Sequence, residues 1–201
     1  MKKTLIAILS VAAIATTLIM SVSAATHIVK SGDTMWKIAV QYEVGLSEIK
    51  SSNPQIANPD LIYPGQVLNI PTTDASTLNF EKEVVRLVNE ARAKNGLKEL
   101  TYDWELSRVA RYKSQDMKDR GYFSHTSPTY GSPFQMMKSF GITYRSAGEN
   151  IARGQRTPSE VVNAWMNSSG HRANILNSSF TEIGVGYVAN GNYWTQMFIG
   201  R

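Results

Sequence analysis

The amino-acid sequence predicts an α+β protein in two units: a small βααβ unit and, after a short linker, a three-layer α-β-α sandwich. Three observations carry that expectation. Residues 26–71 begin and end on short alternating segments with helix-like runs between them. From Phe80 to Asn167 apolar residues recur at helical spacing. The tail then alternates or runs apolar on both sides of Asn190-Gly191, the pattern of a β-hairpin.

In the first unit Thr26-His27-Ile28-Val29-Lys30 alternates as a strand does. Ser31-Gly32-Asp33-Thr34 turns the chain, and Asp33 or Thr34 can cap the helix that follows. Trp36, Ile38, Ala39 and Tyr42 are the apolar set of that helix, and a mid-helix tryptophan in so small a unit is expected in the core. Ser47 is expected to cap a second helix carrying Ile49, which Asn53-Pro54 breaks. Asn58-Pro59-Asp60 and Tyr63-Pro64-Gly65 are turns, and Val67 to Ile70 returns as a strand. Residues 72–78 read as a polar spacer reaching about 24 Å when fully stretched. Whatever the second unit does, it does beside the first.

In the second unit, residues 79–201, Phe80 to Lys94 is predicted helical, with Val84, Leu87, Val88 and Ala91 on one stripe and Gly96 as its stop. Asp103 can cap a helix that turns Leu106, Val109, Ala110 and Met117 inward and ends at Gly121. A shorter helix is expected at Pro133 to Phe140. Thr157-Pro158 opens another, running to about Asn167 with Val161, Val162 and Trp165 inward. Ile183 to Val188 and Tyr193 to Ile199 form the hairpin. Tyr122, Phe123, Phe134, Met136 and Met137 are expected as core and cleft wall.

Met1-Lys2-Lys3, the apolar run Leu5 to Met20 and the small residues Ser21 to Ala25 read as a secretory signal over residues 1–25, cut after Ala24 or Ala25. That run is short for a bilayer, and no second one follows, so no stable membrane span is expected after cleavage. The chain has no cysteine, which excludes thiol chemistry and leaves both units to be held by burial alone. The formal charge is +5; residues 26–71 contribute −1 and residues 79–201 contribute +5. The basic residues are scattered, so a nucleic-acid partner is not expected. A mildly basic unit suits loose, salt-sensitive attraction to an anionic wall polymer or membrane surface.

The words Val29-Lys30-Ser31-Gly32-Asp33-Thr34 and Ile62-Tyr63-Pro64-Gly65-Gln66 resemble a LysM domain over residues 26–71. The resemblance implies binding of peptidoglycan or chitin-type N-acetylglucosamine polymers. The sugar would lie in a shallow groove between Gly32, Asp33 and Thr34 on one side and Asp60, Leu61, Ile62, Tyr63 and Pro64 on the other. Exposed turns supply the backbone donors and acceptors that sugar amides and hydroxyls need, and Ile62 or Tyr63 an apolar shelf. Asp33 and Thr34 read equally well as plain helix caps. One copy offers one weak groove, without avidity from repeats.

Three short polar, glycine-flanked segments carry the chemistry of the second unit: Phe123-Ser124-His125-Thr126, Gly148-Glu149-Asn150 and Gly170-His171-Arg172-Ala173-Asn174. Their order and wording resemble the bacterial branch of the CAP superfamily, the cysteine-rich secretory and pathogenesis-related proteins, which share the three-layer sandwich. In members with the full cavity, two histidines and two acids line a cleft that can hold a divalent metal such as zinc. His125, Glu149 and His171 match three of those positions. Where the second acid belongs, three residues after Trp165, stands Ser168. The loss is expected to weaken metal binding. Glu182 lies in the right stretch of chain to approach the site. Asn150, Arg172 and Asn174 read equally as partners of buried backbone around a polar cavity. Ser124 beside His125 makes no serine hydrolase, since the chain has no Gly-x-Ser-x-Gly turn.

A signal, one LysM and a bacterial CAP unit together resemble proteins of Gram-positive, often spore-forming bacteria. Three functions stay open on the sequence. The first is a secreted binding protein parked on the cell wall or spore envelope, its His/Glu-lined cleft holding a ligand or an envelope protein partner. The second is a metal-assisted hydrolase of peptidoglycan or wall protein, with catalytic candidates His125, Glu149 and His171. The third is a lipid-binding protein.

Overall fold

Strand β1 (Val22–Ile28), helices α1 (Met35–Gln41) and α2 (Leu46–Ser52) and strand β2 (Val67–Thr73) build the first unit. The computed structural model describes residues 22–201, so most of the expected signal lies outside the described residues. Its last residues do not: Val22 to Ala25 pair antiparallel with Thr73 to Ile70, continuing the register that sets Ile28 opposite Val67. Between the two-stranded sheet and the helices, Met35, Ile38, Ala39, Val44, Ile49, Leu68 and Ile70 form a small apolar core. Buried Asn53 ties α2 to β2: its amide donates to the carbonyls of Ile49 and Asn69, and its oxygen accepts from the Asn69 amide.

Two local expectations fail here. Trp36 is 53% exposed. The inward stripe of α1 is Met35, Ile38 and Ala39, and a residue one step after Met35 turns about 100° away from it, so Trp36 shares an outer face with exposed Val40. Nor does Ser47 cap α2. Gly45 stands at the cap position, and the Ser47 hydroxyl donates to Glu48 inside the helix.

The expected spacer at residues 72–78 is absorbed into structure. β2 runs to Thr73, Asp74 caps α3 (Ala75–Lys94) by accepting from the Thr77 amide, and nothing else separates strand from helix. A stiff strand-to-helix junction takes the place of a tether.

After α3 come β3 (Thr101–Tyr102), α4 (Trp104–Asp119), α5 (Pro133–Ser139), β4 (Ser146–Arg153), α6 (Pro158–Met166), α7 (Ser169–Ile175), β5 (Glu182–Val188) and β6 (Tyr193–Gly200). The strands order as β3-β5-β6-β4, with β3 parallel to β5 and the other pairs antiparallel. On one face Val84, Val88, Trp165 and Ile175 pack on Val185 and Phe198. On the other, Leu106, Val109, Met136 and Met137 pack on Met197 and Ile199. The three layers are the expected ones. α4 lies flush on β5 because Gly184 and Gly186 face it: a Cβ on either would collide with the α4 backbone at Leu106–Ser107 or Ala110–Arg111. Phe123 and Phe134, expected as core or cleft wall, are about half exposed. Among the described residues no helix is long and apolar enough to cross a membrane.

The units touch through side chains as well. Arg108 of α4 forks onto Glu48 of α2, Nε to Oε1 at 2.5 Å and Nη2 to Oε2 at 2.9 Å, and the Tyr112 hydroxyl donates to Glu48 Oε1 at 2.8 Å. The Arg108 guanidinium also lies over the rings of Tyr112 and Phe140.

Candidate functional site

His125 and Glu149 meet at 2.7 Å, Nδ1 to Oε1. Glu149 sits in β4, a strand its polar, glycine-bearing sequence conceals. Alternation along β4 sends Glu149 to the face covered by α4 and α5, and its neighbour Asn150 to the opposite face. The Glu149 carboxyl is 1% exposed, whereas His125 is 52% exposed. Burial raises the carboxyl above its ordinary value, against the pull of His125 and of the Lys113 ammonium. Its second oxygen, Oε2, is buried with no hydrogen-bond partner. A half-exposed imidazole thus guards a buried carboxyl with one oxygen free.

The loop carrying His125 is held from beneath by α4. Lys113, fully buried, donates through Nζ to the carbonyls of Ser124 (2.7 Å) and His125 (2.8 Å). One turn on, Asp116 accepts from the hydroxyls of Tyr122, Ser127 and Thr129 and from Arg120. Burial would raise Asp116, but these donors outweigh it and hold the carboxyl below its usual range. Sequence reasoning missed both residues. The signal was present: Lys113 and Asp116 continue the inward stripe of Leu106, Val109 and Ala110 at helical spacing, and a charge in register with a core stripe is a buried, partnered charge.

His171 arrives from the other side. Asn150 Nδ2 donates to its carbonyl and to Gln196 Oε1, while Asn174 Nδ2 donates to Asn150 Oδ1 and the Glu149 carbonyl. Arg92, buried in α3, donates to the carbonyls of Ile175 and Asn177 at the end of α7. The backbone-satisfying reading therefore holds for Asn150 and Asn174. Arg172 instead reaches Asn95 at the surface. Burial, and secondarily the nearby His125, lower the His171 pKa from its ordinary value. The ring itself makes no hydrogen bond among the described residues.

Ser168 heads α7 and offers no carboxylate. Glu182 does not supply one: it opens β5, separated from β4 by β6, and pairs with Arg201. Among the described residues no three His, Asp or Glu side chains are arranged to hold one ion. The donor set falls short of a closed metal site, and no step is routed through a metal.

In the first unit, Gly32 makes its turn at φ +86°, a conformation favouring glycine. Asp33 turns inward to accept from His27 Nε2 and the Lys30 amide, and Thr34 caps α1 by accepting from the Lys37 amide. Both side chains thus shape the loop. Across from them Leu61 and Tyr63 are half exposed, Asp60 and Pro64 lie at the surface, and Ile62 packs partly on the core.

Comparison with known proteins agrees with this architecture. The model of the cysteine-rich secretory protein family matches residues 85–199, and a LysM domain matches residues 27–71. The uncharacterized protein YkwD of Bacillus subtilis is 64% identical over 134 residues, 66% of this chain and 52% of that protein. The N-acetylmuramoyl-L-alanine amidase sle1 of Staphylococcus aureus is 37% identical over 82 residues, 40% of this chain and 24% of that one. An extracellular SCP-domain protein of Bacillus anthracis superposes with a TM-score of 0.60 at 33% identity, covering 69% of this chain and 47% of its own. The chain spans about half, or less, of the length of these relatives. With more than half of its length matched by the family model, this chain belongs to the cysteine-rich secretory protein family and carries a LysM domain ahead of its CAP domain.

Proposed function

We propose that this is an exported, envelope-associated binding protein: LysM holds an N-acetylglucosamine polymer of the wall, and the CAP domain presents the His125–Glu149 cleft, with His171 at its rim, to a second ligand. The observation that carries the reading is the surface of the LysM unit. Its two loops leave Leu61 and Tyr63 exposed while Asp33 and Thr34 are spent on fixing loop shape, so a ligand meets backbone groups and an apolar shelf. The relative sle1, named for its action at an N-acetylmuramoyl bond, shares this kind of sequence. The wall concerned is that of the exporting cell or of its spore.

One observation favours a second reading, hydrolysis. A buried carboxyl with raised pKa beside a half-exposed imidazole has the make-up of a proton-transfer pair, and its second oxygen is unpartnered. One experiment separates the two. Purified protein is incubated with peptidoglycan, with zinc or with chelator; the pellet is assayed for protein and the supernatant for fragments by mass spectrometry. Sedimentation without fragments supports the binding protein. Fragments that vanish in Glu149→Gln make it a hydrolase, and protein that stays wholly in the supernatant removes the wall-binding reading.

A further inference from the structure

We propose that the groove between the two domains is a second sugar subsite, walled by Trp36 from LysM and Trp104 from the CAP domain, which takes the continuation of the polymer chain held by the LysM loops. The inference rests on the wall-binding reading and extends it. The groove has a volume of about 360 Å³, and Trp36, Trp104 and Phe140 line it together with Ser47, Glu105 and Ser139. A pyranose ring has two apolar C–H faces and a rim of hydroxyls. Aromatic plates with hydrogen-bonding groups set between them match that chemistry, as sites for small ligands generally combine apolar walls with a few placed polar groups.

Three features separate this groove from an incidental gap. Trp36 is exposed, while its neighbour Met35 takes the inward position. One exposed aromatic is unremarkable, but here two tryptophans from different domains border the same space. The domains that carry the two tryptophans are also joined before any ligand arrives. The Arg108 fork on Glu48, braced by Tyr112 and stacked on Phe140, clamps the domains beside the groove. Joined domains lose less freedom on binding than independent ones. Finally, one wall residue of the groove, Trp36, follows directly on the LysM loop in the chain. Trp36 lies in the first turn of α1, two residues beyond Thr34, and Lys37 Nζ in the same turn donates to the Gly32 carbonyl at 2.8 Å. The subsite thus places the continuation of a polymer that leaves the Gly32–Thr34 loop against Trp36.

The test uses the full chain and N-acetylglucosamine oligomers of increasing length, with affinity read by isothermal titration calorimetry. In the parent, affinity continues to rise for oligomers too long for the LysM groove alone. Trp104→Ala and Trp36→Ala each remove that gain, about tenfold for the long oligomers, and leave short-oligomer affinity unchanged; Trp104→Phe keeps most of it. Trp36 is exposed, so its variant does not put folding at stake, and the thermal midpoint is followed in all three. A length dependence that is absent in the parent, or identical in parent and both alanine variants, overturns the subsite while leaving LysM binding intact. A parent that binds no oligomer of any length overturns the wall-binding reading, and the subsite with it.

Discussion

The two domains expose functional groups by opposite means. LysM uses turns: a glycine at positive φ, an aspartate bonded to its own loop and a threonine cap set the Gly32–Thr34 edge, and every partner lies within a few residues of the next. The CAP site uses burial. Lys113 and Asp116 stand inside the molecule and hold a loop by its carbonyls and hydroxyls, and a buried carboxyl on β4 meets a histidine 24 residues away in sequence. Glu81 and Arg111 pair at 2.9 Å between α3 and α4 in the same style. The difference has an energetic meaning. Exposed turns exchange protein hydrogen bonds for water at little cost, whereas buried charges are severely penalised when one partner goes. Damage should therefore be larger in the CAP domain.

The largest effect is expected at Gly186, where the added Cβ of Gly186→Ala drives into the α4 backbone at Ala110 and Arg111. Neither side is a flexible side chain, so sheet and helix must part, at about 4 kcal/mol in urea unfolding. A loss under half of that would mean α4 is not flush on β5. Next comes Asp116→Ala, which strands the buried hydroxyl of Ser127 and the partly buried ones of Tyr122 and Thr129. It should cost about 3 kcal/mol and open residues 122–130 to limited proteolysis. A destabilised chain with that loop still protected would show that Asp116 does not position it. The LysM counterpart, Asn53→Ala, loses three bonds to neutral backbone groups and should cost about 2 kcal/mol. If it outranks Asp116→Ala, the contrast between the domains fails.

The same contrast decides what was legible in the sequence. βααβ order, the Asp103 and Thr157-Pro158 caps and the closing hairpin follow from local pattern, and all are present. The three site segments were visible as polar words, and the structure bonds His125 to Glu149. What stayed hidden depended on distant contacts. β4 reads as a polar loop because Glu149 and Asn150 are satisfied by residues from α7, β6 and the His125 loop. Trp36 was expected inside because burial is the ordinary fate of tryptophan in a core helix; its outward turn follows from which residues β2 covers. The spacer vanished because its polar residues, Asp74 and Thr77, are a helix cap and its partner.

The smallest effect concerns the ion pair that links the domains, and its sign is fixed by titration. Burial alone would raise the Glu48 carboxyl, but the Arg108 fork, the Ser47 hydroxyl and Tyr112 outweigh it, and the folded pKa falls below the ordinary 4.5. A depressed carboxylate contributes stability that is fully present above its unfolded value and is lost as pH falls through its folded value. Glu48→Gln should therefore unfold about 1 kcal/mol more easily than the parent at neutral pH, the scale of a partly exposed ion pair. The gap should narrow as pH drops below 4.5 and close once the parent's own carboxyl is protonated. Other lowered carboxyls, Asp33, Asp74 and Asp116, titrate alike in both chains and cancel in the difference. A gap that is flat with pH would mean the Arg108 fork contributes no charge interaction. The domains would then be held by the β2–α3 junction and by uncharged contacts at residue 48 alone, and the groove walls would keep their spacing at any pH.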